Sequence, residues 1–369
     1  MKYKVPFVNY PLQYRNLKSG IDAAITRVLE NGDLILRSDL EEFERDIASF
    51  IGVRYAVGVS SGTDALIFSL QAAGIRRGDE VITVSHTFVA SIASIVHVQA
   101  APVLIDVKED FTMDTDKIES AITPKTKAII PVHLNGRMCD MNAVMALAER
   151  YHIKVIEDSA QALGAQFRGM KAGSFGMAGS FSFYPAKILG GYGDGGLVAT
   201  NDKDLYEKIL LLRSHGQKTK TEILQFGFTG RLDNIQAAIL RVKLKHLPKW
   251  LERRRQIAKA YHEGLKGISN IILPPAPGAE KNRFDVYQNY VIKAGKRDDL
   301  AKHLMDCGVE ILIKDPFVLH HQKNLKLSSF ALPVTERLSN EVISLPIYPE
   351  LADEQIVYVV NSVKDFYGA

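Results

Sequence analysis

The stretch "SFSFYPAKILGGYGDGG" (180–196) contains one basic residue, Lys187, between an alternating strand-like run and a cluster of glycines. Loop lysines are mostly exposed to solvent, and this is the ordinary interpretation of such a residue. The glycines would also let the backbone bend and approach a ligand closely, so the amine could instead reach into a crevice as a nucleophile. The residues at neighbouring strand ends must decide between these alternatives.

A second stretch, "VSSGTDAL" (59–66), places small and hydroxyl residues where a strand gives way to a helix. Backbone N–H groups and hydroxyls there could bind a phosphate at the positive end of the helix dipole, with Gly62 and Thr63 in the first turn. Serine and threonine are also common helix N-caps, which is the simpler interpretation of the same residues.

A third stretch, "VIEDSAQALGA" (155–165), ends a strand with Glu157 and Asp158. A carboxylate at the end of a buried parallel strand is unfavourable unless a cation or a hydrogen-bond donor accompanies it. Capping of a following helix by Asp158 is an equally good interpretation of this stretch alone.

Together the three stretches offer a phosphate cradle, an acid and a lysine, which are the groups that pyridoxal phosphate (PLP) requires. Its phosphate needs donors, its pyridinium N–H needs a carboxylate, and its aldehyde needs an amine for a Schiff base. Phe88 in "SHTFVAS" could stack on the cofactor ring, although burial in the core is the commoner fate of a phenylalanine.

The elements that would position these groups alternate between strand-like and helix-like runs through the first two thirds of the chain. The predicted strands are "YAVGVSS" (55–61), "EVITVS" (80–85), "PVLIDV" (102–107), "KAIIPVHL" (127–134) and "KVIEDS" (154–159). Nearly continuous apolar strands separated by helices predict an α/β fold with a mainly parallel sheet covered on both faces. Ligands of such sheets bind at the carboxyl ends of the strands.

From Asn234 to Leu265 the pattern becomes a long helical region, with a break predicted at Pro248. A connector rich in proline and glycine follows, and the remainder predicts a smaller α+β domain. We therefore expect a large α/β domain at residues 1–250 and a smaller C-terminal domain at residues 251–369.

The amino-acid composition argues against several classes of protein. The chain has 369 residues, 46% of them hydrophobic, and a net charge of +4, which falls short of a nucleic-acid-binding composition. Its densest basic segment, "RVKLKHLPKWLERRRQ" (241–256), is interpreted as a solvated helix face rather than a polyanion site. Cys139 and Cys307 have no metal-ligand spacing and provide no disulfide framework, and no apolar run predicts a signal peptide or a membrane span. We expect a cytoplasmic protein without a metal site.

The ordered set of motifs resembles the DegT/StrS family of PLP-dependent sugar-nucleotide aminotransferases, of fold type I, across nearly the whole chain. The matching motifs are "SSGTDAL", "GDEVITVSHTFVAS", "PVLIDV", "TKAIIPVHLNG", "VIEDSAQALGA", "SFSFYPAKILGGYGDGG", "RSHGQ", "GRLDNIQAAIL" and "ISLPIYPEL". The resemblance implies a mainly parallel seven-stranded-type sheet domain with helices on both faces and a smaller C-terminal domain.

The resemblance also implies a role for individual residues. Lys187 matches the Schiff-base lysine that also shuttles a proton, and Asp158 matches the acid that pairs with the pyridine nitrogen. The other implied cofactor contacts are Gln161 near the ring hydroxyl, Phe88 stacked on the ring, and Gly62, Thr63, Ser182 and Thr229 at the phosphate. The implied substrate contacts are Tyr184, Arg231 and Lys314. Arg231 would cross a dimer interface towards the substrate, although a structural ion pair is an equally good interpretation.

The implied reaction transfers the amino group of L-glutamate to a nucleotide-linked keto sugar. A dehydratase branch of the family has histidine at the lysine position, so Lys187 favours transamination. "FYPAKILGGYGDGG" resembles the branch that acts on 3-keto sugars, whereas members forming 4-amino sugars tend to have a threonine-rich turn and "GEGG". A 4-amino sugar or cyclitol aminotransferase, or a non-catalytic regulatory relative, is the alternative. Shared cofactor contacts in the family imply a homodimer.

Four positions depart from the family pattern. Thr229 replaces a usual asparagine, and its shorter side chain puts the implied contact with the partner's phosphate in question. Arg37 replaces a usual glycine, and Lys314 with Asp315 replaces a histidine–tyrosine pair. The altered charges indicate either a different substrate or a change of the surface without functional effect.

Overall fold

The structure is a computed structural model and describes residues 3–313 and 318–369. Its strands are β1 (Tyr55–Val59), β2 (Glu80–Val84), β3 (Ala101–Ile105), β4 (Thr126–Ile129), β5 (Lys154–Asp158), β6 (Gln166–Phe167), β7 (Met170–Lys171), β8 (Ala178–Ser182), β9 (Gly196–Thr200), β10 (Ile271–Ile272), β11 (Arg283–Phe284), β12 (Tyr290–Ala294) and β13 (Val342–Leu345). Its helices are α1 (Tyr10–Asn31), α2 (Ser38–Ile51), α3 (Gly62–Ala72), α4 (Ala90–His97), α5 (Ile118–Ala121), α6 (Met141–Arg150), α7 (Lys203–Leu212), α8 (Asn234–Leu244), α9 (Leu247–Leu265), α10 (Arg297–Asp306), α11 (Pro333–Glu341) and α12 (Asp353–Tyr367).

The largest sheet of the described residues has seven strands in the order β1-β9-β8-β5-β4-β2-β3. Its neighbouring strands are parallel except at β9, which runs antiparallel to both β1 and β8. Strands β2, β5 and β9 are buried along almost their whole length, so helices must cover both faces of the sheet. The predicted α/β fold with a mainly parallel seven-stranded sheet is confirmed.

A smaller apolar core lies in the C-terminal part of the chain. The sheet β10-β12-β13 packs there with α9, α10 and α12, and Val5 joins this core through a bridge to Val309. The predicted boundary at residue 250 falls inside α9. The first turns of that helix pack on the larger core, whereas its later turns pack on the smaller one. The division into two domains at this residue stays a prediction.

The long helical region after Asn234 is broken as the sequence indicates, although the break precedes the proline. Helix α8 ends at Leu244, and α9 begins at Leu247 with Pro248 in its first turn. Proline is tolerated there because the first N–H groups of a helix have no intrahelical partner. Pro248 therefore starts the second helix instead of ending the first.

The interpretation of residues 241–256 as a solvated basic face is wrong for two of its members. Lys243 and Arg254 are buried, with only 1% and 5% of their surface exposed, whereas Lys245 and Lys249 are exposed as expected. Buried cations need hydrogen-bond acceptors, and Lys243 Nζ donates to the carbonyl of Gly190 at 2.7 Å. In the part of the chain that is described, no helix is long and apolar enough to cross a membrane.

Candidate active site

A cavity of about 650 Å³ opens at the carboxyl ends of β5 and β8 and at the start of α3. Its lining includes eight of the predicted site residues, namely Gly62, Thr63, Phe88, Asp158, Gln161, Ser182, Tyr184 and Lys187. Parallel strands bring residues that are far apart in the sequence to one edge of the sheet, as expected for this fold. The three stretches singled out in the sequence therefore meet in one place.

The N-terminus of α3 forms one wall of the cavity. Ser61 is the N-cap of this helix, and its Oγ accepts a hydrogen bond from the Asp64 N–H at 3.0 Å. A Cβ added to Gly62 would lie 2.8 Å from Cβ of Ser182, so only glycine lets the helix start this close to the end of β8. Helix N–H groups beside a serine hydroxyl suit an anion such as a phosphate.

Asp158 lies at the end of β5 with 6% of its surface exposed. Its Oδ2 accepts a hydrogen bond from Ser91 Oγ at 2.7 Å, and its Oδ1 accepts one from the Ala160 N–H at 3.2 Å. Residues 159–165 form turns in the structure, so the alternative in which Asp158 caps a helix is wrong. The carboxylate is instead held at the cavity wall, where it can accept a hydrogen bond from an N–H group of a ligand.

Glu157 precedes Asp158, but it serves a different purpose because adjacent side chains of a strand point to opposite faces. Its carboxylate is fully buried and accepts backbone hydrogen bonds from Gly173, Phe175 and Gly176 at 2.8–2.9 Å. His133 Nε2 lies 3.0 Å from the same carboxylate. Glu157 therefore organises the turn before β8, while Asp158 faces the ligand.

Lys187 follows β8 in a turn, where its N–H donates to the Tyr184 carbonyl at 2.8 Å. The lysine is half-buried and lines the cavity, so the interpretation as an ordinary solvated loop residue is wrong. Tyr184 and Phe88 are 53% and 59% exposed. Phe88 is therefore not a core residue, and both rings are open to a ligand that enters the cavity.

Gln161 also lines the cavity, and neighbouring groups fix the orientation of its amide. Its Oε1 accepts hydrogen bonds from the Asn135 N–H at 2.9 Å and from Asn289 Nδ2 at 3.4 Å. Because a backbone N–H can only donate, the oxygen must be the atom facing Asn135. The NH₂ group of Gln161 is thus the donor that remains for a ligand.

The remaining predicted residues lie elsewhere. Among the described residues that line the cavity, neither Thr229 nor Arg231 is present. Thr229 is exposed with its hydroxyl 2.8 Å from His215 Nε2, while Arg231 pairs with Val59 in a β-bridge. Arg37 precedes α2 and forms an exposed ion pair with Asp33 at 3.5 Å. Lys314 and Asp315 lie outside the described residues.

Residues 16–364 match the sequence model of the DegT/DnrJ/EryC1/StrS aminotransferase family. The chain belongs to this family. It is 41% identical over 368 residues to a "pleiotropic regulatory protein" of Geobacillus stearothermophilus, with 98% of each chain covered. It is 40% identical over 362 residues to a UDP-N-acetyl-3-dehydro-α-D-glucosamine 3-aminotransferase of Acidithiobacillus ferrooxidans, covering 98% of this chain and 97% of that one.

A solved structure of DesV from S. venezuelae, in complex with a ketimine intermediate, superposes with a TM-score of 0.95. It is 39% identical in sequence, and 99% of each chain is covered. The cofactor of DegT/DnrJ/EryC1/StrS aminotransferases is PLP, and the residues of this cavity fit that group. The close approach of Gly62 to Ser182 leaves an anion site, the buried Asp158 offers a carboxylate, and Lys187 offers an amine.

Sequence reasoning missed Ser91, which donates to Asp158 from behind the cavity lining, and two residues that line the cavity, Gln288 and Asn289. Ser91 follows Phe88 by three residues on α4, and its hydroxyl could have been expected to approach the site because Phe88 was already assigned there. Gln288 and Asn289 line the cavity from a segment more than 100 residues beyond Lys187. Nothing in the local pattern of "VYQNYV" indicates that contact, which arises from the tertiary fold alone.

Proposed function

We propose that the protein transfers the amino group of L-glutamate to a nucleotide-linked keto sugar, at C3 of the sugar, with PLP as cofactor. The observation that carries this proposal is the cavity in which Lys187, Asp158 and the anion site at Gly62 and Ser182 lie together. An amine, a carboxylate and an anion site in one cavity match the three polar groups of PLP.

In this proposal, each residue has a separate task. When bound, PLP supplies an electron sink for the electron pair released as a C–H bond of the amino donor breaks. Lys187 Nζ is the amine that holds the cofactor and, once released, moves the proton as general base and acid. Asp158, kept in place by Ser91, retains a proton on the pyridine nitrogen. The N-terminus of α3 binds the phosphate, and the Gln161 NH₂ group donates to the ring oxygen.

The substrate class rests on the relatives and on the residues after Lys187. The Acidithiobacillus relative is named for a 3-keto substrate, and "FYPAKILGGYGDGG" resembles the 3-keto branch. Phe88 presents an exposed ring that can stack on the cofactor, and Tyr184 presents one on which the sugar nucleotide can pack. The product would be an amino-sugar nucleotide used for surface polysaccharide or glycan synthesis in the cytoplasm, where the free thiols of Cys139 and Cys307 stay reduced.

A homodimer is part of the same proposal. The segment 214–231 exposes a group of apolar side chains, namely Ile223, Leu224, Phe226 and Phe228, and the ring of Phe226 is 100% exposed. An exposed apolar cluster of this kind is typical of a protein–protein interface. The same segment carries Thr229 and Arg231, which we propose reach the cofactor phosphate and the substrate in the cavity of a second copy.

A second candidate is a regulatory protein that keeps the fold without catalysis, and the name of the Geobacillus relative favours it. The complete set of Lys187, Asp158 and the anion site favours the enzyme, because a regulator needs no nucleophilic amine in the cavity. A 4-amino sugar or cyclitol aminotransferase would share every one of these residues and differs only in its keto substrate.

The first experiment tests the cofactor. The protein is incubated with PLP, reduced with borohydride, digested and analysed by mass spectrometry. The expected result is a pyridoxyl group on the peptide that contains Lys187, and its absence from the matched variant Lys187→Ala. Modification of exposed lysines at the same level as Lys187, or none at all, would overturn the enzyme proposal and favour the regulatory protein.

The second experiment tests the substrate. The PLP-loaded protein is mixed with L-glutamate and either a 3-keto or a 4-keto nucleotide sugar, and amino product and 2-oxoglutarate are measured together. We expect equal amounts of 3-amino product and 2-oxoglutarate, with Lys187→Ala at least about 1000-fold slower. Turnover of the 4-keto sugar alone would favour the alternative aminotransferase.

A further inference from the structure

Gln288 and Asn289 lie directly before β12, the central strand of the small sheet, yet both line the cavity of the large sheet. Both side chains are buried, with 8% and 7% of their surface exposed. Buried amides must satisfy a donor and an acceptor at once, so the partners of these two side chains reveal what they hold in place.

The side chain of Gln288 binds the backbone on both sides of Lys187. Its Nε2 donates to the Ala186 carbonyl at 2.8 Å, and its Oε1 accepts from the Ile188 N–H at 2.8 Å. A planar amide is suited to this contact because it carries one donor and one acceptor that point in the same direction. The two bonds fix the peptide groups that determine the direction in which the Lys187 side chain leaves the backbone.

Asn289 contacts a different part of the cavity lining, at Gln161. Its Nδ2 donates to Asn135 Oδ1 at 3.1 Å and to Gln161 Oε1 at 3.4 Å. These contacts add to the Asn135 N–H bond to Gln161, and they leave the Gln161 NH₂ group for the ligand. Two consecutive residues thus contact both the lysine segment and the residue assigned to the cofactor's ring oxygen.

The backbone of this pair is itself anchored by a buried arginine. Arg254 Nη1 donates to the Tyr287 carbonyl at 3.0 Å, to the Gln288 carbonyl at 3.4 Å and to the Ile347 carbonyl at 3.0 Å. The Val286 N–H also donates to the Gly136 carbonyl at 3.0 Å. Because these bonds fix the segment before β12, the position of the small sheet determines where Gln288 lies relative to Lys187.

We infer that Gln288 is a positioning residue for Lys187, and that Asn289 has the same task for Gln161. The inference rests on the proposed function, because it assumes that Lys187 holds the cofactor. In this role Gln288 acts through the backbone on either side of Lys187. It restricts the backbone at residues 186–188 so that the amine meets the cofactor in one orientation, which lowers the entropy lost at that step.

The test compares Gln288→Met with Gln236→Met. Methionine keeps the length of glutamine but removes both hydrogen-bonding atoms. Gln236 is a matched control because its Oε1 accepts from the Tyr192 N–H at 2.8 Å in the same glycine-rich segment, but away from residues 186–188. The first measurement is amide hydrogen exchange of the cofactor-free protein, resolved at Ile188.

We expect Gln288→Met to speed exchange at the Ile188 amide by at least about tenfold, because one hydrogen bond is lost. Exchange at Ile292, in the centre of β12, serves as an internal reference and should not change. A parallel rise at both amides, or an equal rise at Ile188 in Gln236→Met, would show general loosening and overturn the inference. In the unaltered protein, Ile188 exchange as fast as in an unstructured peptide would overturn it without any variant.

The second measurement concerns cofactor capture and turnover. Borohydride added at timed intervals should show Gln288→Met fixing PLP on Lys187 about 30-fold more slowly than the unaltered protein and Gln236→Met. The same variant should lower kcat by a similar factor while the KM for the nucleotide sugar stays within about twofold. Equal capture rates in all three proteins would overturn the positioning role. If the unaltered protein formed no borohydride-stable adduct with PLP, the proposed function would be contradicted. Hydrogen exchange at Ile188 would still test whether Gln288 restrains the backbone at residues 186–188.

Discussion

The segment that carries Lys187 and the segment that carries Thr229 are held in opposite ways. The first is bound by side chains from distant parts of the chain, namely Gln288, Gln236 and Lys243. The second, residues 214–231, makes backbone hydrogen bonds largely within itself, such as His215 N–H to the Phe228 carbonyl at 3.0 Å. It points its apolar side chains outward, with Phe226 fully exposed.

The first segment is held in place by residues of its own chain, whereas the second exposes apolar side chains that would pack against a second copy in the proposed dimer. The lysine segment has its polar groups paired and its position fixed by residues of the same chain. The segment 214–231 pairs its backbone with itself and with the adjoining residues 211–213, and it leaves apolar surface exposed. Burial of such surface is the main favourable term in protein association. The first two substitutions below each disrupt one of these arrangements, and the third acts on the neighbouring acid Asp158; they follow in order of decreasing expected effect.

Phe226→Asp should break the proposed dimer. In a symmetric interface the change occurs twice, and a buried carboxylate replaces an aromatic ring at each site, so the dimer dissociation constant should rise by about 1000-fold or more. Analytical ultracentrifugation across a series of protein concentrations measures this dissociation constant. Activity per chain should fall in parallel with the dimer fraction, since Thr229 and Arg231 would no longer reach the second cavity.

The matched control is Val357→Asp, which places the same charge on an apolar side chain of α12 that is 56% exposed. We expect that variant to sediment like the unaltered protein. A Phe226→Asp variant that stays dimeric would show that residues 214–231 do not form the interface.

Lys243→Met should change how stability depends on pH. Burial lowers the pKa of Lys243 from 10.5 to about 8, and the negative charge of Glu350 only partly opposes this shift. Between those values the unfolded chain binds a proton that the folded chain has lost, so this lysine makes the unaltered protein more stable as pH rises from 8 to 10.5. Relative to the variant, the gain should reach about 3 kcal/mol, at about 1.4 kcal/mol per pKa unit.

Urea unfolding of both proteins at pH 7.5 and pH 10.5 measures this difference. Lys245→Met is the control, because Lys245 is exposed two residues away on the same stretch of chain. Its difference from the unaltered protein should be the same at both pH values. A pH-independent difference for Lys243→Met as well would show that Lys243 is not a buried cation that loses its proton near pH 8.

The smallest effect is expected for Ser91→Ala, which alters the hydrogen bonds of Asp158 and leaves those of the segment that carries Lys187 unchanged. It removes the hydroxyl that donates to Asp158 Oδ2 at 2.7 Å and leaves the hydrogen bond from the Ala160 N–H to Oδ1 in place. We expect kcat to fall about tenfold, since a hydrogen bond to a charged group contributes roughly 1.5 kcal/mol. Steady-state kinetics with the 3-keto sugar check it.

Ser94→Ala is the matched control, because Ser94 is equally buried on α4 but donates to the Ser91 carbonyl at 2.9 Å. It should retain kcat within about twofold. Equal losses in the two variants would mean that α4 as a whole, and not the hydroxyl on Asp158, accounts for the effect.

The sequence predicted the sheet well because parallel strands are long apolar runs bounded by glycine and helix-capping residues, as at "VIEDS" and "VSSG". It predicted Lys187, Asp158 and Gly62 because each ends or follows such a strand. It could not predict Gln288, whose contact with residues 186 and 188 depends on how the small sheet packs against the large one. It also misjudged Arg254, because the helical pattern gives no sign that backbone carbonyls from two other segments converge on that face.

Strand β5 ends with two consecutive carboxylates that face opposite sides of the sheet, one bound by three backbone N–H groups and the other open to the cavity. The side-chain period of a strand is two, so inserting or deleting one residue in β5 would exchange the two faces. Asp158 would then lie on the face of the turn at residues 173–176, and Glu157 or Ser159 would face the cofactor in its place. A change of two residues would preserve the faces but would move Asp158 by about 7 Å along the strand, so the position of this carboxylate depends on both the phase and the length of β5.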